Sequence, residues 1–306
     1  DLSKLVLHKL TAIIESLDYK THKKSIAIYV SPVFEKVLYL DIAVEEKIII
    51  DESFEIRDLL YSKKQLHKYL VLLLSGKESR LYLASSKTFI RITSGTEELV
   101  EAYQNDIPEK VANFTNSSDQ KQILVNKFLH SIDESLNKIL QVYQLPLFVL
   151  GTEKILGQFK KITKHEAAVV EYVHGNYEDL SLVQLDEILK PAVAGWIIRT
   201  QKNLLKQLED AAGENKLAIG MRDVWKHAMN QRGRLLLVEQ NYMYAAVRGS
   251  HEKNIYKFQE PYNKFSLIKD AVDDVIEAVL QNGGDVEFVD SELLKPYHHI
   301  ALILYY

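Results

Sequence analysis

Cysteine is absent from the 306 residues. Disulfide bonds, thiol nucleophiles, cysteine-based zinc sites and iron–sulfur clusters are therefore excluded. Long apolar runs are also lacking, because the runs at 26–30, 71–74 and 145–150 are far shorter than the roughly 18 residues of a membrane helix. No basic and then apolar leader is visible at the beginning. We therefore expect a cytoplasmic protein that has no membrane segment.

Charge of one sign does not dominate. The chain has 38 basic and 42 acidic side chains and a formal net charge of -4. It is 47% hydrophobic and 26% charged, which is typical of a folded protein, and its length indicates two or three domains. The whole molecule is therefore no general binder of polyanions, although a local basic patch is compatible with this charge.

The short motifs of several enzyme classes are missing. The sequence contains no phosphate-binding Gly-x-x-x-x-Gly-Lys-Ser/Thr, no Gly-x-Gly-x-x-Gly, no Gly-x-Ser-x-Gly and no His-Glu-x-x-His. The neighbouring His298 and His299 would point to opposite faces of a strand, and a turn or a core position explains them better than a metal site. The residues thus predict no cofactor, no metal and no recognisable hydrolytic centre.

The first 66 residues predict a small α/β domain. Apolar positions spaced by three and four predict a helix over 2–14. Strands are predicted at 25–30, 33–40 and 46–51, and a helix at 55–61.

Residues 67–164 predict a second domain. Strands at 69–74, 79–84 and 88–93 are spaced as an antiparallel meander. A helix with one apolar face follows a polar stretch and leads through Pro146 into a strand at 147–151, after which 153–161 reads as helix. The only charged residues in the meander strands are Arg80 and Arg91, which disfavours a nuclease with paired metal-binding carboxylates.

Residues 165–306 predict a third domain. Helices are expected at 166–173, 181–189 and 192–212, with Pro191 in the first turn of the last one. A helix-covered sheet is then predicted by strands at 234–238, 286–289 and 300–304 that alternate with helices at 221–230 and 269–280. The three segments carry net charges of -1, +3 and -6, so only the middle one is basic.

Two stretches of the third segment resemble a known family. They read Ile-Gly-Met-Arg-Asp-Val-Trp-Lys-His-Ala at 219–228 followed by Arg-Gly-Arg-Leu-Leu-Leu-Val at 232–238, and a closing helix, Gly-Gly turn and strand over 278–289 followed by His-Ile-Ala-Leu-Ile-Leu-Tyr at 299–305. They are similar to the C-terminal domain of archaeo-eukaryotic class 1 peptide-chain release factors and Pelota. The resemblance implies an α/β/α domain here.

The middle segment resembles the RNase H-like middle domain of the same factors, because the meander, the long helix and the Leu-Phe-Val-Leu-Gly strand follow in the same order. The linking stretch over 174–213 looks most like the bacterial archaeo-eukaryotic release factor family. The resemblance covers about residues 67–306. Together with the small first segment, three domains are expected, at 1–66, 67–164 and 165–306.

The sequence departs from true release factors in their catalytic loop. Those factors resemble one another in a Gly-Gly-Gln loop, but no glycine occurs here between Gly95 and Gly151. The corresponding region is a polar loop over 104–122 that contains Gln120 and Gln122. The pair Gly283-Gly284 is predicted to end a helix, and the codon-reading Asn-Ile-Lys-Ser motif is absent.

Basic side chains near aromatic ones are the candidate RNA contacts, since arginine can pair with phosphate and tyrosine can stack on a base. The candidates are Lys77, Arg80, Lys87, Arg91, Arg222, Lys226, Arg232 and Arg234, with Tyr82 beside the meander group.

The resemblance implies a release-factor-like protein that binds the ribosome or structured RNA, such as tRNA or rRNA, in translation quality control or rescue of stalled ribosomes. No enzymatic activity follows from it. One alternative is a scaffold that binds proteins and has lost RNA binding. Another is a peptidyl-tRNA hydrolase that uses Gln120 or Gln122. The sequence leaves the partner and the oligomeric state open.

Overall fold

The computed structural model of the chain describes residues 2–21, 23–51, 53–65, 67–75, 79–85, 88–92, 117–177, 179–249, 254–258 and 267–306. By compactness the chain forms two units. One, named here the composite unit, contains residues 1–66 together with 200–306, and the other, the middle unit, contains residues 67–199. Among the described residues, no helix combines the length and the apolar character needed to cross a membrane.

The composite unit begins with a helix, a hairpin and a second helix. These are α1 (Leu2–Glu15), β1 (Ser25–Val30), β2 (Glu35–Leu40) and α2 (Arg57–Gln65). The strands β1 and β2 are antiparallel and pair Ser25 with Leu40 at one end and Val30 with Glu35 at the other. A two-stranded sheet is marginal alone, so its stability depends on what it packs against.

A five-stranded sheet forms the centre of the middle unit. Its strands are β3 (Tyr69–Leu74), β4 (Ser79–Ser85), β5 (Thr88–Arg91), β6 (Leu147–Gly151) and β7 (Val169–His174), in the order β5-β4-β3-β6-β7. The first three are antiparallel neighbours, whereas β6 is parallel to both β3 and β7. This is the RNase H-like arrangement that the family resemblance implies, and the predicted fold class is confirmed.

Helices cover both faces of this sheet. One face packs against α3 (Ser117–Tyr143) and α4 (Glu153–Ile162), and the other against the first half of α5 (Leu182–Gly213). Along β3, side chains alternate between the two apolar clusters. The central strands β3 and β6 are therefore buried along their whole length, which explains why they read as continuous apolar runs.

The remainder of the composite unit is a four-stranded sheet between helices, with a small three-stranded sheet beside it. Its elements are β8 (Leu217–Ile219), α6 (Gly220–Met229), β9 (Gly233–Glu239), β10 (Ala246–Arg248), β11 (Ile255–Lys257), β12 (Leu267–Ile268), α7 (Ala271–Gln281), β13 (Asp285–Val289) and β14 (Ile300–Leu304). The sheet orders are β13-β9-β14-β8 and β11-β10-β12. Helices α6 and α7 pack on one face of the larger sheet, and the second half of α5 packs on the other. The predicted α/β/α layering is confirmed.

Buried polar contacts anchor α2 to the C-terminal part of the composite unit. The Arg57 guanidinium lies 2.8 Å from the Asp270 carboxylate, and both side chains are almost completely buried. The Asp273 carboxylate accepts hydrogen bonds from the backbone N–H groups of Ile56 and Arg57, at 3.1 and 2.9 Å. The ring of Tyr61 contacts Phe288 edge-on, with centroids 5.2 Å apart. Residues about 200 positions apart in sequence are thereby held together.

Three predicted elements differ from the structure. Residues 166–173 were expected to form a helix, but they form a 3-10 turn (Glu166–Ala168) and the strand β7. The run Val-Val-Glu-Tyr-Val is rich in β-branched and aromatic residues, and its pairing with β6 decides its conformation. Pro191 lies inside the continuous helix α5, whose apolar face continues across it through Leu189 and Ala192. Residues 46–51 were predicted to form a strand, but they pair with no strand of the described chain. Ile48 and Ile50 are accordingly 88% and 87% exposed.

The domain boundaries predicted from sequence were 66/67 and 164/165. The compact middle unit also begins at residue 67, but it continues to residue 199. It does so because β7 is a member of its sheet and the first half of α5 covers that sheet.

The Gly283-Gly284 pair ends α7, as the sequence predicts. Gly283 has a φ of +78°, and the N–H groups of Gly283 and Gly284 donate to the carbonyls of Leu280 and Val279. These two bonds are those of a Schellman cap. A Cβ atom on Gly284 would lie 2.6 Å from the Gly233 carbonyl oxygen and 2.7 Å from a Val279 methyl carbon.

We expect Gly284→Ala to destabilise the protein by about 1–3 kcal/mol, because the added methyl group has no space. The matched control is Gly157→Ala on α4, where a Cβ atom would meet nothing within 4 Å. This control should raise the free energy of unfolding by about 0.5–1 kcal/mol, because alanine restricts the unfolded chain. Denaturant unfolding of both variants measures the difference, and equal effects would contradict the assigned crowding at Gly284.

Stability should also fall with rising pH because of Asp273. Burial raises the pKa of Asp273 to about 7, despite its backbone hydrogen bonds, from 3.8 for an ordinary aspartate. The folded state therefore binds this proton more tightly than the unfolded chain, and stability is lost as pH rises from about 4 to about 7.

Asp273→Asn removes this titration and keeps an acceptor for the two N–H groups. Between about pH 5 and pH 8 the unchanged protein should lose more free energy of unfolding than the variant, by at most about 1.4 kcal/mol per pH unit in the titration range. Burial also raises the pKa of Asp274, to about 6. Asp274→Asn should therefore remove only the part of the stability loss that occurs below about pH 6. Denaturant unfolding at several pH values checks this, and identical pH profiles for all three proteins would refute it.

Candidate nucleic-acid interface

The predicted basic residues do not form one surface. Lys77 and Lys87 lie outside the described residues. Arg80 and Arg91 belong to the middle unit, whereas Arg222, Lys226, Arg232 and Arg234 belong to the composite unit.

In the middle unit, Arg91 is exposed on the edge strand β5, directly opposite Tyr82 of β4. Arg80 is half-buried, and its Nη2 donates to the carbonyl oxygen of Tyr177 at 3.5 Å. Tyr82 itself is only 6% exposed, because it packs into the apolar cluster beneath α5. The expectation that Tyr82 could stack on a base is therefore wrong. Of the two arginines, Arg91 is the one with an exposed side chain.

The glutamines at the family's Gly-Gly-Gln region lie on a helix. The sequence placed Gln120 and Gln122 in a polar loop, but α3 begins at Ser117 and contains both residues. The helix includes these residues because Gln and Lys favour helix and the apolar spacing of α3 follows immediately. Gln122 is exposed on this helix.

In the composite unit, α6 presents two cations on its outer face. Arg222 and Lys226 are four residues apart and exposed, whereas Met221, Val224, Trp225 and Ala228 are buried. The Arg222 guanidinium lies over the ring of Tyr256, 5.7 Å from its centroid, and Tyr256 is itself 53% exposed. We name Arg222, Lys226 and Tyr256 the α6 face. It offers two cations and an aromatic ring to a partner.

Arg232 serves the fold instead. Its Nη1 lies 3.4 Å from Nδ1 of His227, its Nη2 donates to the carbonyl oxygen of Tyr306, and its guanidinium lies 5.0 Å from the Tyr306 ring centroid. Burial lowers the pKa of His227, and the nearby cations lower it further, so the imidazole is neutral near pH 7 and accepts the hydrogen bond.

A β-bulge aims Arg234 toward a cavity. Leu304 pairs with Gly233 and Ile303 pairs with Leu235, so Arg234 is the extra residue of β9. The cavity has a volume of about 260 Å³ and lies between the last turns of α5 and the ends of β9 and β14. Its lining consists of Gln207, Asp210, Ala211, Glu214, Lys216, Arg234, Ile303, Leu304 and Tyr305.

A carboxylate and an imidazole form a further polar pair that sequence reasoning missed. The buried Glu239 carboxylate accepts from His299 Nδ1 and from the Leu294 N–H, both at 2.8 Å. Burial alone would raise the pKa of Glu239, but these hydrogen bonds outweigh it and the pKa is lowered. His299 lies in a turn with a φ of +69° and stacks on Tyr242. The two residues are 60 positions apart, so no local signal connects them.

No group of three or more histidine, aspartate or glutamate side chains that could hold a metal ion occurs within the described part of the chain. The described residues do present two charged features, an exposed cationic face on α6 and a charged cavity at the bulge.

Comparison with solved structures finds the fold of translation factors. The archaeal Pelota of a ribosome-bound complex with ABCE1 matches with a TM-score of 0.51 and 16% identity, over 80% of this chain and 63% of that chain. Dom34 of S. cerevisiae matches with a TM-score of 0.44 and 14% identity, over 79% of this chain and 65% of that chain. The chain thus spans less than two thirds of either protein.

The C-terminal domain of a peptide chain release factor from Methanosarcina mazei matches with a TM-score of 0.31 and 23% identity, over 42% of this chain and 97% of that chain. No match was found among curated protein sequences.

The sequence comparison identifies the family directly. Residues 68–232, which are more than half of the chain, match the bacterial archaeo-eukaryotic release factor family 3. The matched part begins at the first strand of the middle unit and ends just after α6. The resemblance seen in the sequence is confirmed, and the chain belongs to bacterial archaeo-eukaryotic release factor family 3.

Proposed function

We propose that this protein binds the ribosome or structured RNA in translation quality control or rescue of stalled ribosomes. The observation that carries the proposal is the Pelota-like fold, because the archaeal Pelota with which it shares that fold is ribosome-bound. Family membership supports the same field of function. The protein would then act in the cytoplasm.

The α6 face is the surface that we assign to RNA contact. Arg222 and Lys226 are exposed cations one turn apart, and Tyr256 adds an exposed ring beside them. Arginine and lysine bind phosphate groups, and an aromatic ring can stack on an unpaired base. Arg91 provides an exposed cation in the middle unit. We assign no hydrolytic step, since the region between Gly95 and Gly151 contains no Gly-Gly-Gln motif.

Co-sedimentation with ribosomes from the host tests this proposal. The fraction bound should fall steeply from about 50 mM to about 200 mM salt, because phosphate contacts release counterions. The double variant Arg222→Ala and Lys226→Ala should bind more weakly, and its dependence of log K on log salt should be shallower by about one for each lost phosphate contact.

The matched control removes two positive charges from a different surface of the protein. Lys202 and Lys206 are also exposed and four residues apart, on α5. The double variant Lys202→Ala and Lys206→Ala should keep the binding and the salt dependence of the unchanged protein. Equal losses in both double variants would show that the α6 face is not the contact. Absence of pelleting even at low salt would favour the protein-binding scaffold instead.

A further inference from the structure

The cavity beside Arg234 combines an apolar floor with a charged rim. Ala211, Ile303 and Leu304 are buried, whereas Asp210, Glu214 and Arg234 are exposed. Tyr305 is 43% exposed, and its hydroxyl donates to the Gly283 carbonyl oxygen at 3.1 Å. This bond fixes the ring at the cavity wall. A flat ligand could therefore contact the Tyr305 ring and the small apolar floor while its edges reach charged groups.

Four charged side chains line the rim. Lys216 and Glu214 pair with each other, and Asp210 and Arg234 remain. Lys216 Nζ lies 2.8 Å from the Glu214 carboxylate, and this contact lowers the pKa of Glu214, with Arg234 adding to the effect. Neither Asp210 nor Arg234 takes part in a salt bridge with the described residues. A carboxylate acceptor and a guanidinium donor thus face the same small space.

The charge balance disfavours phosphate as the ligand of this cavity. Asp210 and Glu214 would repel an anion, and both lie at the C-terminal end of α5, where the helix dipole is negative. The group that fits must present hydrogen-bond donors to a carboxylate and acceptors to a guanidinium. The volume of about 260 Å³ lies below the usual range of about 300–1,000 Å³ for drug-sized ligands, so a single ring system fits better than a whole nucleotide.

Guanine offers the fullest form of this pattern among the four RNA bases, because only its Watson–Crick edge places two ring-edge donors side by side for one carboxylate. Its Watson–Crick edge carries the N1–H and N2–H donors, which a carboxylate accepts together, and its O6 and N7 accept from arginine. Adenine can donate to the carboxylate only through N6, beside an acceptor at N1 or N7, so it would make one such hydrogen bond where guanine makes two. We propose that the cavity formed by Asp210, Arg234 and Tyr305 binds a guanine base of single-stranded RNA. Asp210 accepts from N1–H and N2–H, Arg234 donates to O6 and N7, and Tyr305 contacts the ring.

This inference rests on the proposed RNA-binding function, because it names the base that one site of the protein would read. Bases in single-stranded loops and ends can be splayed out and stacked on aromatic side chains. The bulge at Arg234 has a role in this reading, since it turns that side chain toward α5.

Calorimetric titration of the full chain with guanosine 5′-monophosphate and adenosine 5′-monophosphate tests the inference, because the base enters the half-open cavity while the ribose and phosphate that both nucleotides share stay outside it. Guanosine monophosphate should bind at least about tenfold more tightly than adenosine monophosphate, as expected for a base edge that is read by paired hydrogen bonds. Asp210→Asn should lose about tenfold or more in guanosine monophosphate affinity, because an NH2 group, which donates, replaces one of the two accepting oxygens and faces a donor of the base. Arg234→Ala should show a loss in the same direction.

Glu209→Gln is the matched control, because Glu209 is the exposed neighbour of Asp210 on α5 and does not line the cavity. It should leave guanosine monophosphate binding unchanged, and circular dichroism of each variant should show that the fold persists. Equal affinity for the two nucleotides, no binding at millimolar concentration, or equal losses in Asp210→Asn and Glu209→Gln would overturn the inference.

The outcome does not depend on ribosome pelleting. Selective nucleotide binding without pelleting would support the guanine site and count against the proposed ribosome binding. Pelleting that persists without selective nucleotide binding would overturn the guanine site and leave the proposed function intact.

Discussion

The composite unit depends on the buried contact between Arg57 and Asp270. Asp270 accepts from the Arg57 guanidinium at 2.8 Å and from the backbone N–H groups of Tyr244 and Val272, both at 3.1 Å. Arg57 also donates to the Gln240 carbonyl oxygen at 3.1 Å. Removal of one partner of such a pair leaves an uncompensated buried charge, at a typical cost of about 3–5 kcal/mol. One arginine from the N-terminal segment thus connects α2, the end of β9 and the cap of α7, and it joins residues 1–66 to residues 200–306 together with the contacts of Asp273 and Tyr61.

The sequence predicted those elements that carry a strong local pattern. The meander β3 to β5, the strand β6 and the helices α3, α6 and α7 all follow from apolar spacing. The strands β8, β10, β11 and β12 have only two or three residues, which is too short for any period to show. The strand β7 was mistaken for a helix because its partner β6 determines its conformation, and that pairing is not visible in the residues themselves.

The candidate sites were predicted only in part, for similar reasons. The exposed pair Arg222 and Lys226 follows from helical spacing. The cavity at Arg234 does not, since it requires a bulge in β9 and brings together α5, β9 and the end of β14. The bond between Glu239 and His299 likewise joins two ends of strands that only the sheet order makes neighbours. Residue type alone also failed to show that Tyr82 is buried and that Arg232 is used within the fold.

The exposed isoleucines of residues 46–51 have a consequence for solubility. Ile48 and Ile50 lie in a short β-prone run that pairs with no strand of the described chain, and such runs are templates for association between molecules. The carboxylates of Glu45, Glu46 and Asp51 flank this run, and flanking charges of this kind keep copies apart. The tendency of this protein to associate therefore depends on the side chains beside one short exposed run as well as on the folded core.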